Sequence, residues 1–203
     1  MTMNIGVLAS HEGTTLQAVL DACAGGRIAA RVSVVISNNA DSGALRRARA
    51  AGVAAVHLST RTHPQPSELD EAIRATLVAS DCELVLLAGY MKLLGARTLG
   101  AFAGRVLNTH PALLPKHGGR GLYGMHVHRA VLAAREHESG ASVHLVDRDY
   151  DTGPVLAQIR VPVEPGDSPE TLAARVQSEE RELLVGVLAD LASGKRLLPR
   201  QGI

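Results

Sequence analysis

Apolar runs alternate with segments of helical periodicity through the first half of the chain. Between the runs, apolar side chains recur every three or four residues, as on the buried face of a helix. This alternation predicts an α/β fold, because each strand that is followed by a helix can join its neighbours in one parallel sheet. Strands are predicted at 5–9, 32–36, 53–58, 84–87 and 105–108, and helices over 14–24, 42–51 and 96–102, with a further helix capped by Ser67.

The pattern changes after Gly140. Residues 141–146 alternate between apolar and polar side chains, as in a half-buried strand, and residues 155–163 supply a partner strand. A long helix then opens at Ser168, with proline at its first position, and stops near Gly194. The predicted fold class is α/β, a Rossmann-like open, mostly parallel sheet with helices on both faces and an antiparallel C-terminal extension.

Composition narrows the class of protein. The chain of 203 residues is 46% hydrophobic but only 2% aromatic, so its core must consist of Val, Leu, Ile and Ala. A formal net charge of +1, from 21 basic and 20 acidic side chains, argues against a nucleic-acid partner. Cys23 and Cys82 lack metal-site spacing and are expected to be buried thiols. Without a signal peptide or an apolar stretch of roughly 18 residues, the expected location is cytoplasmic, with no membrane contact.

The turn after the first strand is a candidate anion site. A strand, a turn of small residues and a helix N-terminus follow one another here, so free N–H groups and the positive end of the helix dipole can face a phosphate. Gly13 allows close approach of the backbone, and Thr14 and Thr15 add hydroxyl groups. The pattern is neither GxGxxG nor a P-loop, and an ordinary capped turn is an equally good interpretation.

Asn108 and His110 follow one another at the carboxyl end of a predicted parallel strand, where open α/β sheets place their ligands. Residues two apart in extended backbone project to the same side. An amide donor beside an imidazole can stabilise a carbonyl oxygen as it becomes an oxyanion, and the imidazole can move a proton near neutral pH. This pair therefore predicts a reacting centre rather than a structural histidine.

Asp151 stands in a tight Asp-Thr-Gly-Pro turn between two predicted strands. If it lies near His110, its carboxylate would orient the imidazole and favour the imidazolium form. The pair His126 and His128 invites a metal-site interpretation, but on a helix the two rings point to different faces and no third ligand has motif spacing. The acids around Glu180 are most simply a solvated helix face, although one of them could meet a substrate amine.

At these positions the chain resembles the phosphoribosylglycinamide formyltransferases, a family of folate-dependent enzymes of purine synthesis. The likeness extends over residues 3–198. Its most specific parts are the Asn108-x-His-Pro-x-Leu-Leu-Pro motif, the Gly140–Gly153 segment and the Leu87–Leu94 segment. The phosphate turn departs from the family's common Ser-Gly-x-Gly-Ser-Asn, since His11 and Glu12 occur in it here.

The resemblance implies a single formyltransferase domain over 1–203, with a phosphate-binding half of about 1–105 and a folate-binding and catalytic half of about 106–203. It implies 10-formyltetrahydrofolate as co-substrate, glycinamide ribonucleotide as acceptor and no metal, and it leaves the oligomeric state open. The implied catalytic residues are Asn108, His110 and Asp151. The substrate phosphate would be bound by Gly13, Thr14 and Thr15, and the glycinamide group by Glu180. The folate would be bound by Met91, Lys92, Leu93, Leu94, Arg148, Asp149, Tyr150, Thr152 and Gly153.

In the implied mechanism, Asn108 and a protonated His110 stabilise the oxyanion, while Asp151 raises the pKa of the imidazole and helps to move a proton. Two other kinds of protein compete with this interpretation. One is another formyltetrahydrofolate-using formyltransferase or hydrolase built on the same domain. The other is a non-catalytic Rossmann-like nucleotide-binding module, which would not need the three side chains to converge.

Overall fold

Seven strands and six helices occur in the computed structural model, which describes residues 2–199. The strands are β1 (Met3–Leu8), β2 (Ala30–Ser37), β3 (Ala54–His57), β4 (Leu84–Leu87), β5 (Val106–His110), β6 (Glu138–Leu145) and β7 (Val155–Pro162). The helices are α1 (Thr14–Ala24), α2 (Gly43–Ala50), α3 (Pro66–Ala79), α4 (Ala96–Ala101), α5 (Met125–Ala133) and α6 (Pro169–Ala192).

The strands form one sheet in the order β3-β2-β1-β4-β5-β6-β7. Strand β1 pairs in parallel with β2 and β4, and β2 pairs in parallel with β3. Strands β6 and β7 pair antiparallel. This arrangement confirms the predicted fold class, a mostly parallel sheet with an antiparallel C-terminal extension.

Several boundaries differ from the prediction for local reasons. Helix α3 begins at Pro66 with Gln65 as its N-cap, so the prediction of Ser67 as the cap is wrong. Proline suits the first helical position because its missing N–H would have no partner there. Strand β5 continues to His110, two residues beyond the predicted end. Helix α5 was not predicted, since its nine residues follow a glycine-rich loop that hides the start of the helix.

The chain divides into two compact units, and each has its own core. Unit 1 contains the residues up to Leu107 and those from Leu188 onward, and its strands β1, β2 and β4 are lined by fully buried Val, Leu and Ile side chains. Unit 2 spans Asn108–Val187 and is centred on five buried residues. These are Val131, Ala141, Val161, Leu172 and Val176.

Two smaller predictions concern the thiols and the membrane. Cys82 is buried as expected, whereas Cys23 is only half-buried, and both are free thiols. Within residues 2–199, no helix combines the length and the apolar character that a membrane crossing needs.

Candidate active site

The end of β5 carries the first two residues of the candidate site in unit 2. Asn108 and His110 are two positions apart on this strand, and His110 is buried. Asp151 lies in the loop between β6 and β7 with a left-handed φ of 58°. Its carboxylate Oδ2 comes within 3.4 Å of the Nδ1 atom of His110. The structure therefore brings Asp151 to His110, a contact that spans 41 residues of sequence and that no local pattern shows.

A glycine permits the loop that carries Asp151. A Cβ atom at Gly153 would lie 1.9 Å from the carbonyl oxygen of Leu145, far inside van der Waals contact. Any other residue at Gly153 would push the loop away from β6. Glycine at position 153 is thus required sterically for the position of the loop that carries the Asp151 carboxylate.

Both ring nitrogens of His110 face acceptor oxygens. Nε2 donates a hydrogen bond to the carbonyl oxygen of His117 at 2.8 Å, and Nδ1 faces Asp151. A backbone carbonyl can only accept, so the neutral ring carries its proton on Nε2 and its lone pair on Nδ1. The atom that can exchange a proton with a substrate is therefore Nδ1, beside the carboxylate.

Burial sets the protonation of His110. It lowers the pKa of the imidazole below its ordinary value, although the charge of Asp151 and the His117 carbonyl both act to raise it. The expectation that Asp151 raises the pKa is right in its direction, but desolvation outweighs it. At neutral pH the ring of the free protein is therefore neutral, so the protonated His110 of the implied mechanism would have to form during the reaction.

Asp151 is held as a carboxylate. Burial alone would raise its pKa, but the contact with His144, the charge of His110 and the N–H of Gly119 together lower it. The Gly119 N–H donates to Oδ2 at 2.9 Å. An ionised carboxylate beside a neutral imidazole is the arrangement that stabilises a proton arriving on the ring during a reaction.

His144 is a member of this cluster that the sequence interpretation did not include. Its Nδ1 donates to the carbonyl of Leu145 at 2.8 Å, so Nε2 is left as an acceptor for the Asn108 side-chain N–H at 3.1 Å. The same Nε2 lies 3.5 Å from Oδ1 of Asp151. The prediction of a half-buried strand here is wrong, because Ser142 and His144 are as buried as their apolar neighbours Val143 and Leu145. A histidine on a strand beside β5 was the available signal.

Glu180 lies on α6 in unit 2 and is almost fully buried, with 9% of its surface exposed. Burial raises the pKa of its carboxyl group, while a hydrogen bond with the Thr109 side chain and the charge of Arg181 lower it less strongly. Glu180 is therefore not on a solvated helix face. A buried carboxylate that lacks a full ion pair is suited to a cationic or N–H-bearing ligand.

The predicted anion turn in unit 1 has an open helix N-terminus. Gly13 is the N-cap of α1 with a left-handed φ of 71°, and no side chain caps the helix. Thr14 and Thr15 form the first positions of the helix. The carboxylate of Glu12 lies 3.4 Å from the guanidinium of Arg46, so its charge is partly compensated.

A cavity of about 880 Å³ lies in unit 1 at the carboxyl ends of β1, β2 and β3. Lys92, Leu93 and Leu94 line it, together with Arg61 from the loop after β3. Met91 precedes them with its side chain exposed, and Leu93 is also half exposed. The predicted folate residues in unit 2 lie on the Asp151 loop, where only Gly153 is buried. These are Arg148, Asp149, Tyr150, Thr152 and Gly153.

Comparison with known proteins places the chain in a family. The formyl transferase family model matches residues 3–188. Phosphoribosylglycinamide formyltransferase of Escherichia coli is 39% identical over 193 residues, which cover 95% of this chain and 89% of the relative. The enzyme of that name from Mycobacterium tuberculosis H37Rv is 42% identical, over 92% of this chain and 84% of the relative. The chain belongs to the formyl transferase family.

A solved structure agrees with this assignment. Glycinamide ribonucleotide transformylase 1 from Symbiobacterium toebii superposes with a TM-score of 0.90 at 40% identity, and the match covers 98% of this chain and 92% of that one. The likeness therefore includes both units of this formyl transferase family member. Among residues 2–199 no three His, Cys, Asp or Glu side chains are arranged so that they could hold a metal ion. Of the two candidate histidines, His126 is exposed and His128 is buried.

Proposed function

We propose that this chain transfers a formyl group from 10-formyltetrahydrofolate to the amine of glycinamide ribonucleotide in purine synthesis, and that it works in the cytoplasm. The observation that carries the proposal is the cluster of Asn108, Asp151 and the buried His110 in a member of the formyl transferase family. A nucleotide-binding module without catalysis would have no use for a neutral imidazole packed against a buried carboxylate.

The proposed reaction begins when the neutral amine attacks the formyl carbon. The new C–N bond pushes electrons onto the formyl oxygen, and an N–H of the Asn108 amide stabilises the charge there. One N–H of this amide is used by His144, so the other remains available to the oxygen. The tetrahedral intermediate then expels the folate nitrogen as its C–N bond breaks.

One proton must move from the attacking amine to the leaving nitrogen. In the proposal, Nδ1 of the neutral His110 accepts it, and the imidazolium forms beside the carboxylate of Asp151. His110 then donates the proton to the folate nitrogen and returns to its neutral state. The net change is one formyl group and one proton exchanged between two nitrogens, with no redox step.

The binding residues in the proposal follow the sequence prediction. Gly13, Thr14 and Thr15 bind the substrate phosphate through the open N-terminus of α1, and Glu180 accepts a hydrogen bond from the glycinamide group. The folate-binding residues in the proposal are Met91, Lys92, Leu93 and Leu94, and Arg148, Asp149, Tyr150, Thr152 and Gly153.

A direct assay tests the proposed function. The full chain would be incubated with 10-formyltetrahydrofolate and glycinamide ribonucleotide, and formation of tetrahydrofolate and the formylated nucleotide would be followed. We expect both products in equal amounts and only when the acceptor is present. Release of formate without acceptor would instead identify a hydrolase, and transfer to a different amine alone would identify another formyltransferase.

Glu180→Gln separates the acceptor contact from catalysis. The amide keeps the shape of the side chain but removes the charge that would bind the substrate amine or amide. Because a hydrogen bond to a charged group contributes about 1.5–3 kcal/mol, we expect KM for glycinamide ribonucleotide to rise roughly ten- to hundredfold. The KM for formyl folate should stay the same. Steady-state kinetics with each substrate varied would show this, and an equal rise in both KM values would contradict the assignment.

A further inference from the structure

One short turn contacts both His110 and Asp151. The carbonyl oxygen of His117 accepts the hydrogen bond from Nε2 of His110 at 2.8 Å. Two residues later, the N–H of Gly119 donates to Oδ2 of Asp151 at 2.9 Å. An acceptor and a donor from the same stretch of backbone thus hold the proton-bearing nitrogen of the imidazole and the charged oxygen of the carboxylate.

The backbone of this turn, residues 116–119, has little freedom. His117 has a left-handed φ of 54°, and Gly119 has a φ of 100° that favours glycine. A Cβ atom at Gly118 would lie 2.4 Å from a methyl carbon of Leu114 and 3.3 Å from the Cβ of Asp151. A side chain at Gly118 would therefore have to displace the Leu114 methyl group and press on the Cβ of Asp151.

One side chain outside the turn, that of Glu136, holds it in place. Glu136, in the segment between α5 and β6, accepts hydrogen bonds from Nζ of Lys116 at 3.0 and 3.1 Å. Its Oε1 also lies 3.4 Å from Nε2 of the His117 ring. The hydrogen bond from Lys116 and the contact with His117 lower the pKa of Glu136, so it is ionised at neutral pH. The carboxylate thus anchors the residue whose carbonyl contacts His110.

We propose that the 116–119 turn, anchored by Glu136, is a positioning element that fixes the Nε2–H tautomer of His110 and the orientation of the Asp151 carboxylate. The inference rests on the proposed function for its catalytic consequence. Glu136 and Gly118 are positioning residues, because neither contacts the reacting atoms in the proposed mechanism. Without the turn, His110 could place its proton on Nδ1 toward Asp151, and Nδ1 would then offer no lone pair to the substrate amine.

Several titratable groups lie close to His110 and affect the protonation of its ring. These are Asp151, whose charge raises its pKa, and the rings of His117, His128 and His144, each close enough to interact with it electrostatically. Glu136 is not among them and acts through the turn. A change in the tautomer of His110 after substitution of Glu136 would therefore report positioning rather than a direct effect of charge.

Nuclear magnetic resonance of the histidine rings tests the inference in the full, ligand-free chain. Long-range proton–nitrogen spectra distinguish the Nε2–H tautomer from the Nδ1–H tautomer, and the His110 signals would be assigned by their loss in His110→Gln. In the wild-type protein we expect the Nε2–H form above the pKa of the ring. In Gly118→Ala and Glu136→Gln we expect a mixture of both tautomers.

Kinetics give the second readout. A misplacement of about 1 Å can cost roughly a hundredfold in rate, so Gly118→Ala should lower kcat/KM by about that factor. The pairing of Glu136 is partly exposed, and its loss should lower kcat/KM only roughly two- to fivefold. Glu136→Asp should recover most of the loss. If Gly118→Ala does not fold, Glu136→Gln still decides the matter.

Two controls match these variants. Glu138→Gln removes a carboxylate two residues from Glu136 that pairs with Arg160 on the protein surface. Gly186→Ala adds a methyl group on α6 where no atom lies within 4 Å. Both should leave the tautomer of His110 and kcat/KM at their wild-type values.

The outcomes separate the inference from the proposed function. If His110 in the wild-type protein carries its proton on Nδ1, or if its tautomer is unchanged in both Gly118→Ala and Glu136→Gln, the positioning role is wrong even when formyl transfer is observed. If the tautomer responds as expected but the wild-type chain transfers no formyl group to glycinamide ribonucleotide, the proposed function is wrong and the positioning role stands.

Discussion

Asp151→Asn should lower kcat by roughly 10³- to 10⁴-fold, the effect of neutralising a carboxylate that orients a catalytic imidazole. Asparagine preserves the size of the side chain but removes the charge 3.4 Å from Nδ1 of His110. The imidazolium that forms when His110 takes the proton from the attacking amine then loses its stabilising partner. The KM values of both substrates should change far less than kcat, because the substitution affects a charge that develops during the reaction.

The pH dependence of kcat/KM should also change in a definite direction in Asp151→Asn. His110 must be neutral to accept a proton, so kcat/KM should fall as the pH drops through the pKa of the ring, which burial places below its ordinary value. The charge of Asp151 raises that pKa. Its removal should therefore move the acid limb of the profile to still lower pH, after correction for the titration of the substrate amine.

A matched control is Asp21→Asn, which changes an exposed carboxylate on α1 that accepts a hydrogen bond from the Gln17 side chain. It should retain wild-type kinetics. Near-full turnover in Asp151→Asn would show that proton transfer does not pass through His110 and Asp151. A loss of turnover with an unshifted acid limb would instead point to damage to the loop.

The parts of the fold that sequence predicted best depend on local information. Strand β4 and helix α1 have the predicted bounds. The unbroken apolar run of β4 fits only a strand, and the regular apolar spacing of α1 fits only a helix. The position of Asn108 and His110 at a strand end was also predicted, since it follows from spacing along one strand. The nine-residue helix α5 was not, because the glycines before it give no N-cap signal.

The remainder of the site depends on contacts between distant residues. Asp151 reaches His110 through a left-handed backbone and through the packing of Gly153 on Leu145, and neither the φ angle nor this contact is visible in the order of amino acids. His144 resembled a surface position in an alternating strand, yet it is 2% exposed and bonded to Asn108. The neutral state of His110 results from a balance of burial against charge that only the folded structure determines.

Asn108→Ala should lower kcat by roughly 10²- to 10³-fold, about 3–4 kcal/mol of barrier, the measured range for loss of one oxyanion donor. The side chain presents one N–H to Nε2 of His144 and keeps the second for the formyl oxygen. Because negative charge collects on that oxygen only as the amine attacks, the ground-state binding of either substrate should change little. The loss should therefore appear in kcat and kcat/KM alike and leave both KM values within about threefold.

Asn4→Ala is the control, since Asn4 lies at the start of β1 and bonds to the Asp81 backbone. It should retain wild-type turnover. Asn108→Asp adds a further comparison, because a second carboxylate near Asp151 would repel the developing oxyanion and should be slower than the alanine variant. If Asn108→Ala raised KM while kcat stayed constant, the amide would be a binding group for the ground state. The oxyanion would then need a different donor, and the imidazolium that His110 forms during the proposed reaction could supply it.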